Sequence, residues 1–173
     1  MTWHRVGWVA DTLDVSAPIV RRISACGLLG PQHTVGSHTT WHDAIVNEMA
    51  TLPVIDEASI PPALVVRMGE PAPSDDLWRA YSGWTHTGPD SQRRNAARGD
   101  WKIRLDNPDY WALVAVVGPF VVGAWHITGI DPAGPTSDRY RYLIDNDSAI
   151  AATFEGHRWN LDPGWTVSRR GHS

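Results

Sequence analysis

The sequence predicts an α+β chain with its clearest helices near the start and its strands in the second half, on three observations. Val9 to Pro31 shows helical spacing broken by one tight turn. From Trp101 onward, alternating and valine-rich runs are punctuated by Gly-Pro and Asp-Asn turn signals. The composition is 42% hydrophobic over 173 residues with ten tryptophans, which is enough to fill packed cores. The expected organisation is a helical unit over 1–52, a proline-rich connection with a strand over 53–73, and an α+β domain over 74–173.

Taken in order, Thr2 to Trp8 reads as a short strand or the lead-in to a first helix. Val9, Ala10 and Leu13 share one helical face, Asp14-Val15 makes the turn, and Val20 and Ile23 stand three apart, so two helices can close on a small core. Ser16 suits the N-cap of the second helix. Pro18 falls in its first turn, where no intrahelical bond is lost, and Gly27 ends it by allowing a left-handed cap.

These residues carry a family resemblance. Val9-Ala10, Leu13, Val15-Ser16, Val20-Arg21-Arg22 and Gly27-Leu28-Leu29 with Pro31 are in register with V-A-x-x-L-x-V-S-x-x-T-V-R-R followed by G-L-L-x-P. The run resembles the winged helix-turn-helix of MerR-type and excisionase-type proteins, and Val35 to Val46 is similar to that family's wing and following helix. The resemblance covers residues 1 to 52. It implies a second helix in the major groove of double-stranded DNA and a wing on the adjacent backbone, through Ser16, Ala17, Pro18, Arg21, Arg22, His38 and Thr39. The family's wing arginines are Thr39-Thr40 here. Arg5, Arg21 and Arg22 face Asp11, Asp14, Asp43 and Glu48, a slightly acidic balance that keeps open a protein-interaction adaptor.

A helix from His42 to Leu52, stopped by Pro53, is expected next, then a strand at Ala63 to Val66. Ser74-Asp75-Asp76 reads as the start of a helix running through Leu77, Trp78 and Tyr81 to Gly83. Ser91 to Arg98 is polar and basic at helical spacing. The remainder is read as mostly β: Trp101 to Leu105, Tyr110 to Val117, Phe120 to Ile127 after a Gly118-Pro119 turn, Arg139 to Ile144, Ala149 to Phe154, and a closing Glu155 to Trp159. Four or five short strands with one or two helices imply a small, strongly bent antiparallel sheet or barrel.

A helix ending at Trp84, the Gly99-Asp100-Trp101-Lys102 strand, a valine-rich hairpin and Phe154-x-Gly156-x-x-Trp159 together resemble PUA-like barrels such as the EVE and ASCH domains, over about residues 75 to 167. That likeness implies a pocket for a nucleotide or modified base, with Trp84 and Trp101 as the rings and Asp100 and Arg104 as polar partners.

For catalysis, Pro89-Asp90 followed by Asp100-Trp101-Lys102 matches the P-D…(D/E)-x-K pattern of Mg²⁺-dependent nucleases. Such a site needs both acids on adjoining strands, whereas Ser91 to Arg98 between them reads as helix or loop. The histidines show no metal-ligand spacing, and glycine-rich phosphate loops and serine or cysteine nucleophile contexts are missing, so no cofactor is expected. Cys26 alone excludes internal disulfides and reads as a small core residue. A net charge of −4 argues against a general nucleic-acid coat and for a local, shaped contact. With no apolar run of membrane length and no apolar segment after the first residues, a cytoplasmic protein without membrane contact is expected. No heptad run specifies an oligomer. The leading expectation is a DNA-binding regulator, with a modified-base reader or nuclease acting through the second half, or an adaptor, as the alternatives.

Overall fold

Val9, Leu13, Val20 and Ile23 are all fully buried, so the first two helices close on one another as their spacing requires. The computed structural model describes residues 2–135, 138–162 and 167–170; Trp165 lies outside them. Among the described residues the chain is mixed α and β, with five α-helices and three small sheets.

Strand β1 (Trp3–Arg5) leads into α1 (Val6–Leu13), and α2 (Ala17–Ala25) follows after a turn at Asp14. Asp14 takes a left-handed backbone with φ of 52°, a conformation its short polar side chain tolerates. Ser16 is the N-cap of α2 by backbone geometry, and Pro18 lies in the first turn. At the far end Gly27 has φ of +82°, its N–H donates to Ser24 O and that of Leu28 to Ile23 O, the paired bonds of a Schellman cap. Strands β2 (His33–Val35) and β3 (His38–His42) form a hairpin, and β1 pairs with β3 to give the antiparallel order β1-β3-β2. Helix α3 (Asp43–Ala50) follows.

The larger sheet collects β4 (Ala63–Arg67), β7 (Ala112–Val117), β8 (Phe120–Ile130), β9 (Tyr142–Asp145) and β10 (Val167–Arg170) in the order β10-β4-β7-β8-β9. Between its strands run the short pair β5 (Ala72–Pro73) and β6 (Tyr81–Ser82), helix α4 (Asp90–Arg98) and helix α5 (Ser148–Phe154). β7 is buried on both faces. Leu113, Ala115 and Val117 join the core that also holds α1 and α2, while Ala112, Val114 and Val116 join a second core with Phe154 and Trp159. The first core runs without a break from Val9 to Tyr142. Three further contacts tie the early helices to the rest: His86 N–H donates to Cys26 O at 2.8 Å, Arg158 Nη2 to Leu13 O at 2.7 Å, and Ile19 and Ile23 sit against Gly118.

Several expected elements differ. Ser74 to Gly83 is a hairpin between β5 and β6, not a helix. The Ser74 hydroxyl and the Asp76 carboxylate bond each other at 2.9 Å and Arg79 reaches Asp76 at 2.6 Å, local side-chain bonds that compete with helical ones. Trp101 to Leu105 forms a single bridge, Trp101 to Tyr140, rather than a strand. Past that bridge the Tyr142 hydroxyl takes over the ladder's role, accepting from Leu105 N and donating to Ile103 O. Ala149 to Phe154 is helical because Asp147 caps it, its Oδ1 accepting from Ala149 N and Ile150 N, and because alanine favours helix. Glu155 to Trp159 does not close the sheet; β10 occupies that edge beside β4, and Arg158 makes only isolated bridges to Val54 and Phe120. β4 and β7 pair in parallel across the long crossover that carries α4, so the sheet is mixed, not purely antiparallel, and its described strands run from one edge to another rather than closing.

Candidate nucleic-acid interface

One face of α2 is buried and the other is open. Val20, Ile23 and Ser24 point into the core, while Pro18, Arg21, Arg22 and Ala25, at i, i+3, i+4 and i+7, form a single exposed stripe. The hairpin stands beside this stripe with residues 31–39 all exposed. A buried hydroxyl sets the two against each other: Ser24 Oγ accepts from Trp41 Nε1 of β3 at 2.8 Å and from Gln32 Nε2, just before β2, at 2.8 Å. Thr40 is buried too, and its hydroxyl donates to His33 O across the hairpin. Histidine and tryptophan rings tile the small sheet, with His4 stacked on Trp8 at 3.7 Å between ring centres and Trp3 against His33 at 4.5 Å.

Between α2 and the hairpin lies a groove of about 650 Å³ lined by Arg5, Arg21, Gln32, Ser37, His38 and Thr39 over a floor of Trp8 and Trp41. It carries no carboxylate among its lining residues, although the unit around it is slightly acidic. The guanidinium groups of Arg5, Arg21 and Arg22 make no ion pair or hydrogen bond among the described residues, so their donors are available to a partner.

Of the residues nominated from the sequence, Arg21, His38 and Thr39 meet in this groove. Ser16 and Arg22 line a different cleft on the other flank of α2, with Arg67 and Arg158. Pro18 is exposed on the stripe between them and Ala17 is half-buried. Arg5, Gln32 and Ser37 were not foreseen. The signal for Arg5 is strand register, since Arg5 pairs with Thr40 and is thereby carried to the hairpin.

The four residues nominated for a base pocket separate. Trp84 is fully buried and borders a cavity with Trp125. Trp101 donates its Nε1 to Ala97 O at the end of α4, and Arg104 lies 6.0 Å above the Tyr140 ring. Asp100 is engaged by Arg141, Nε to Oδ1 at 2.9 Å and Nη2 to Oδ2 at 3.3 Å. Arg141 also stacks 4.0 Å over the Trp78 ring, and neighbouring Arg98 holds Asp131 at 2.5 Å. Asp90 and Asp100 stand at opposite ends of α4, roughly 15 Å apart at helical rise, and Lys102 reaches toward exposed Asp138. Among the described residues no group of three or more His, Cys, Asp or Glu is placed to hold a metal ion.

Cys26 sits where the early helices meet the larger sheet. Its Sγ donates to Gly69 O at 3.3 Å, and burial, helped by the nearby Glu70 charge, pushes the thiol up to about 11. No described helix is long and apolar enough to cross a membrane. No protein-family model, curated protein or solved structure matches the chain.

Proposed function

We propose that the chain binds double-stranded DNA and acts as a regulator or DNA-recognition factor, with α1, α2 and the β2–β3 hairpin working as a winged helix-turn-helix. The observation that carries this reading is the carboxylate-free groove, which puts Arg5 and Arg21 beside the hairpin residues His38 and Thr39 within an otherwise acidic unit. The exposed stripe of α2 enters the major groove, where Arg21 reaches base edges or phosphate; a bidentate arginine–guanine contact is the commonest specific one. Arg22, on the other flank, meets the backbone. The hairpin lies along the neighbouring strand and contacts phosphate through Ser37, Thr39 and His38. Ser24 keeps helix and hairpin at one spacing, which is what docking on two adjacent features of a duplex demands.

The test is fluorescence anisotropy of the full chain on a labelled mixed-sequence duplex across a range of salt. Affinity should fall log-linearly with salt, and the double variant Arg21→Ala with Arg22→Ala should lower that slope by about 2 and affinity by about tenfold or more. The same variant should keep its denaturation midpoint, since exposed substitutions change stability by only about 0.5 kcal/mol. Arg94→Ala, the loss of one positive charge on α4, should bind as the parent does. Unchanged affinity in the folded double variant would overturn the assignment.

A further inference from the structure

The other flank of α2 borders a cleft of about 360 Å³, bounded on its far side by the end of β4, the Gly118-Pro119 turn and residues 158–162. Gly118, with φ of +59°, lets the helix come this close to the larger sheet: a Cβ there would stand 2.8 Å from Ile19 Cγ2. Three guanidinium groups from distant parts of the chain therefore line one cleft, Arg22 from α2, Arg67 from the end of β4 and Arg158 from the segment after α5. Arg22 is exposed, and Arg67 and Arg158 are half-buried.

Their internal bonds aim these side chains without neutralising them. Arg67 Nη2 donates to the main-chain oxygen of Asp162 and Arg158 Nη2 to that of Leu13. Two carboxylates line the cleft. Asp162 is taken by Arg170, Nη2 to Oδ2 at 3.3 Å, and exposed Asp14 makes no ion pair among the described residues, so one unengaged acid stands against three arginines. The crowding of like charge is felt at Arg67, whose pKa is lowered by burial first, then by the nearby Arg170 and Arg22 charges, against the opposing pull of Asp162. An anion relieves such crowding. Ser16 adds an exposed hydroxyl that makes no cap bond to α2.

A helix with its side chains is roughly 10–12 Å across and the major groove about 12 Å wide, so a helix lying in it has a phosphate strand along each flank. The hairpin serves one of them. We propose that the cleft serves the other, with Arg22, Arg67 and Arg158 holding backbone phosphate of the same duplex, so that the DNA interface crosses from the helix-turn-helix onto the larger sheet. This rests on the reading of α2 as a DNA-recognition helix, and it adds two residues from outside 1–52.

Fluorescence anisotropy of the full chain on two labelled duplexes of unrelated mixed sequence, from low to physiological salt, tests it. Arg67→Gln should lower the salt slope by about 1 and affinity by about threefold or more, equally on both sequences, because phosphate contacts carry no sequence information. Arg67→Lys keeps the charge and should keep the parent's slope. Asn160→Asp puts a carboxylate on the exposed rim without touching an arginine and should weaken binding by a similar factor, which keeps the test decisive if Arg67→Gln does not fold. Arg21→Ala, in the other groove, reports on the α2 reading alone. If Arg21→Ala weakens binding, the proposal by itself is overturned by a parent-like slope in folded Arg67→Gln, by a loss confined to one sequence, or by an equal loss of slope in Arg67→Lys. Where Arg67→Gln does not fold, parent-like affinity of Asn160→Asp overturns it. A parent chain that does not bind duplex, or binding indifferent to Arg21→Ala, would overturn the α2 reading and the two-strand arrangement with it.

Discussion

Arginine does opposite work in the two halves of this molecule. In residues 2–52 the guanidinium groups of Arg5, Arg21 and Arg22 stand on the surface without a carboxylate partner among the described residues. Around Trp78, Arg79, Arg98 and Arg141 are consumed internally: each lies over the indole face, and their charges go to Asp76, Asp131 and Asp100. The difference teaches that the chain's net negative charge says little about its surface chemistry. Carboxylates neutralise the arginines that fasten the hairpin 72–82 to the sheet, and the early arginines are left for outside contact.

The comparison breaks most directly at Arg141. It is nine-tenths buried and bridges Asp100 and Asp131, so Arg141→Ala leaves the partly buried carboxylate of Asp100 without its cation, while Asp131 keeps Arg98, and should cost about 3 kcal/mol in urea denaturation, the low end for a buried pair. A loss within that of an ordinary surface substitution would mean that the cluster is solvated and the contrast between the halves is false.

A smaller effect sharpens it. Ser24→Ala removes the acceptor shared by Trp41 and Gln32 and leaves a buried indole N–H unpaired, for a loss of about 1–3 kcal/mol. Faster amide exchange in the hairpin than in β7 should accompany it, because helix and hairpin lose their common pin. Uniform acceleration across the chain would instead show that Ser24 supports the fold at large.

The smallest effect lies at the junction. The folded thiol of Cys26 titrates at about 11 against an ordinary value of 9.0, so the unfolded chain ionises first as pH rises. Its contribution to stability is complete below about pH 9 and is lost as pH climbs toward 11. Cys26→Ala should flatten that part of the stability profile, and the parent thiol should resist alkylation at pH 8 until the chain is unfolded. Rapid alkylation of the native chain would place Cys26 at an opening between the halves.

Local signals were strongest where the backbone has few choices. The α1–α2 pair, its caps at Ser16 and Gly27, and the valine runs of β7 and β8 are all legible, because capping geometry, left-handed turns and period-2 burial act within a few residues. Arg21, His38 and Thr39 came instead from the family resemblance, and the structure brings them to one groove. The Ser74 segment was misread because an N-cap signature and an Asx-type turn use the same residues, and only the pairing of Tyr81–Ser82 with Ala72–Pro73 decides between them. Ala149 to Phe154 was misread from the apolar, β-like company around it, against its own alanine content.

The sequence by itself determined which residues turn, cap and bury, since those preferences are properties of a side chain and its near neighbours. It determined in this way an α+β chain whose early helices display Arg21 and Arg22. Only the tertiary structure decided that β4 pairs in parallel with β7, that Arg5 joins Arg21 while Arg22 does not, and that Trp84 meets Trp125 instead of Trp101. Those outcomes depend on strand register and on which face of a shared core each element covers, and these are settled between segments far apart in the chain, where no local preference reaches.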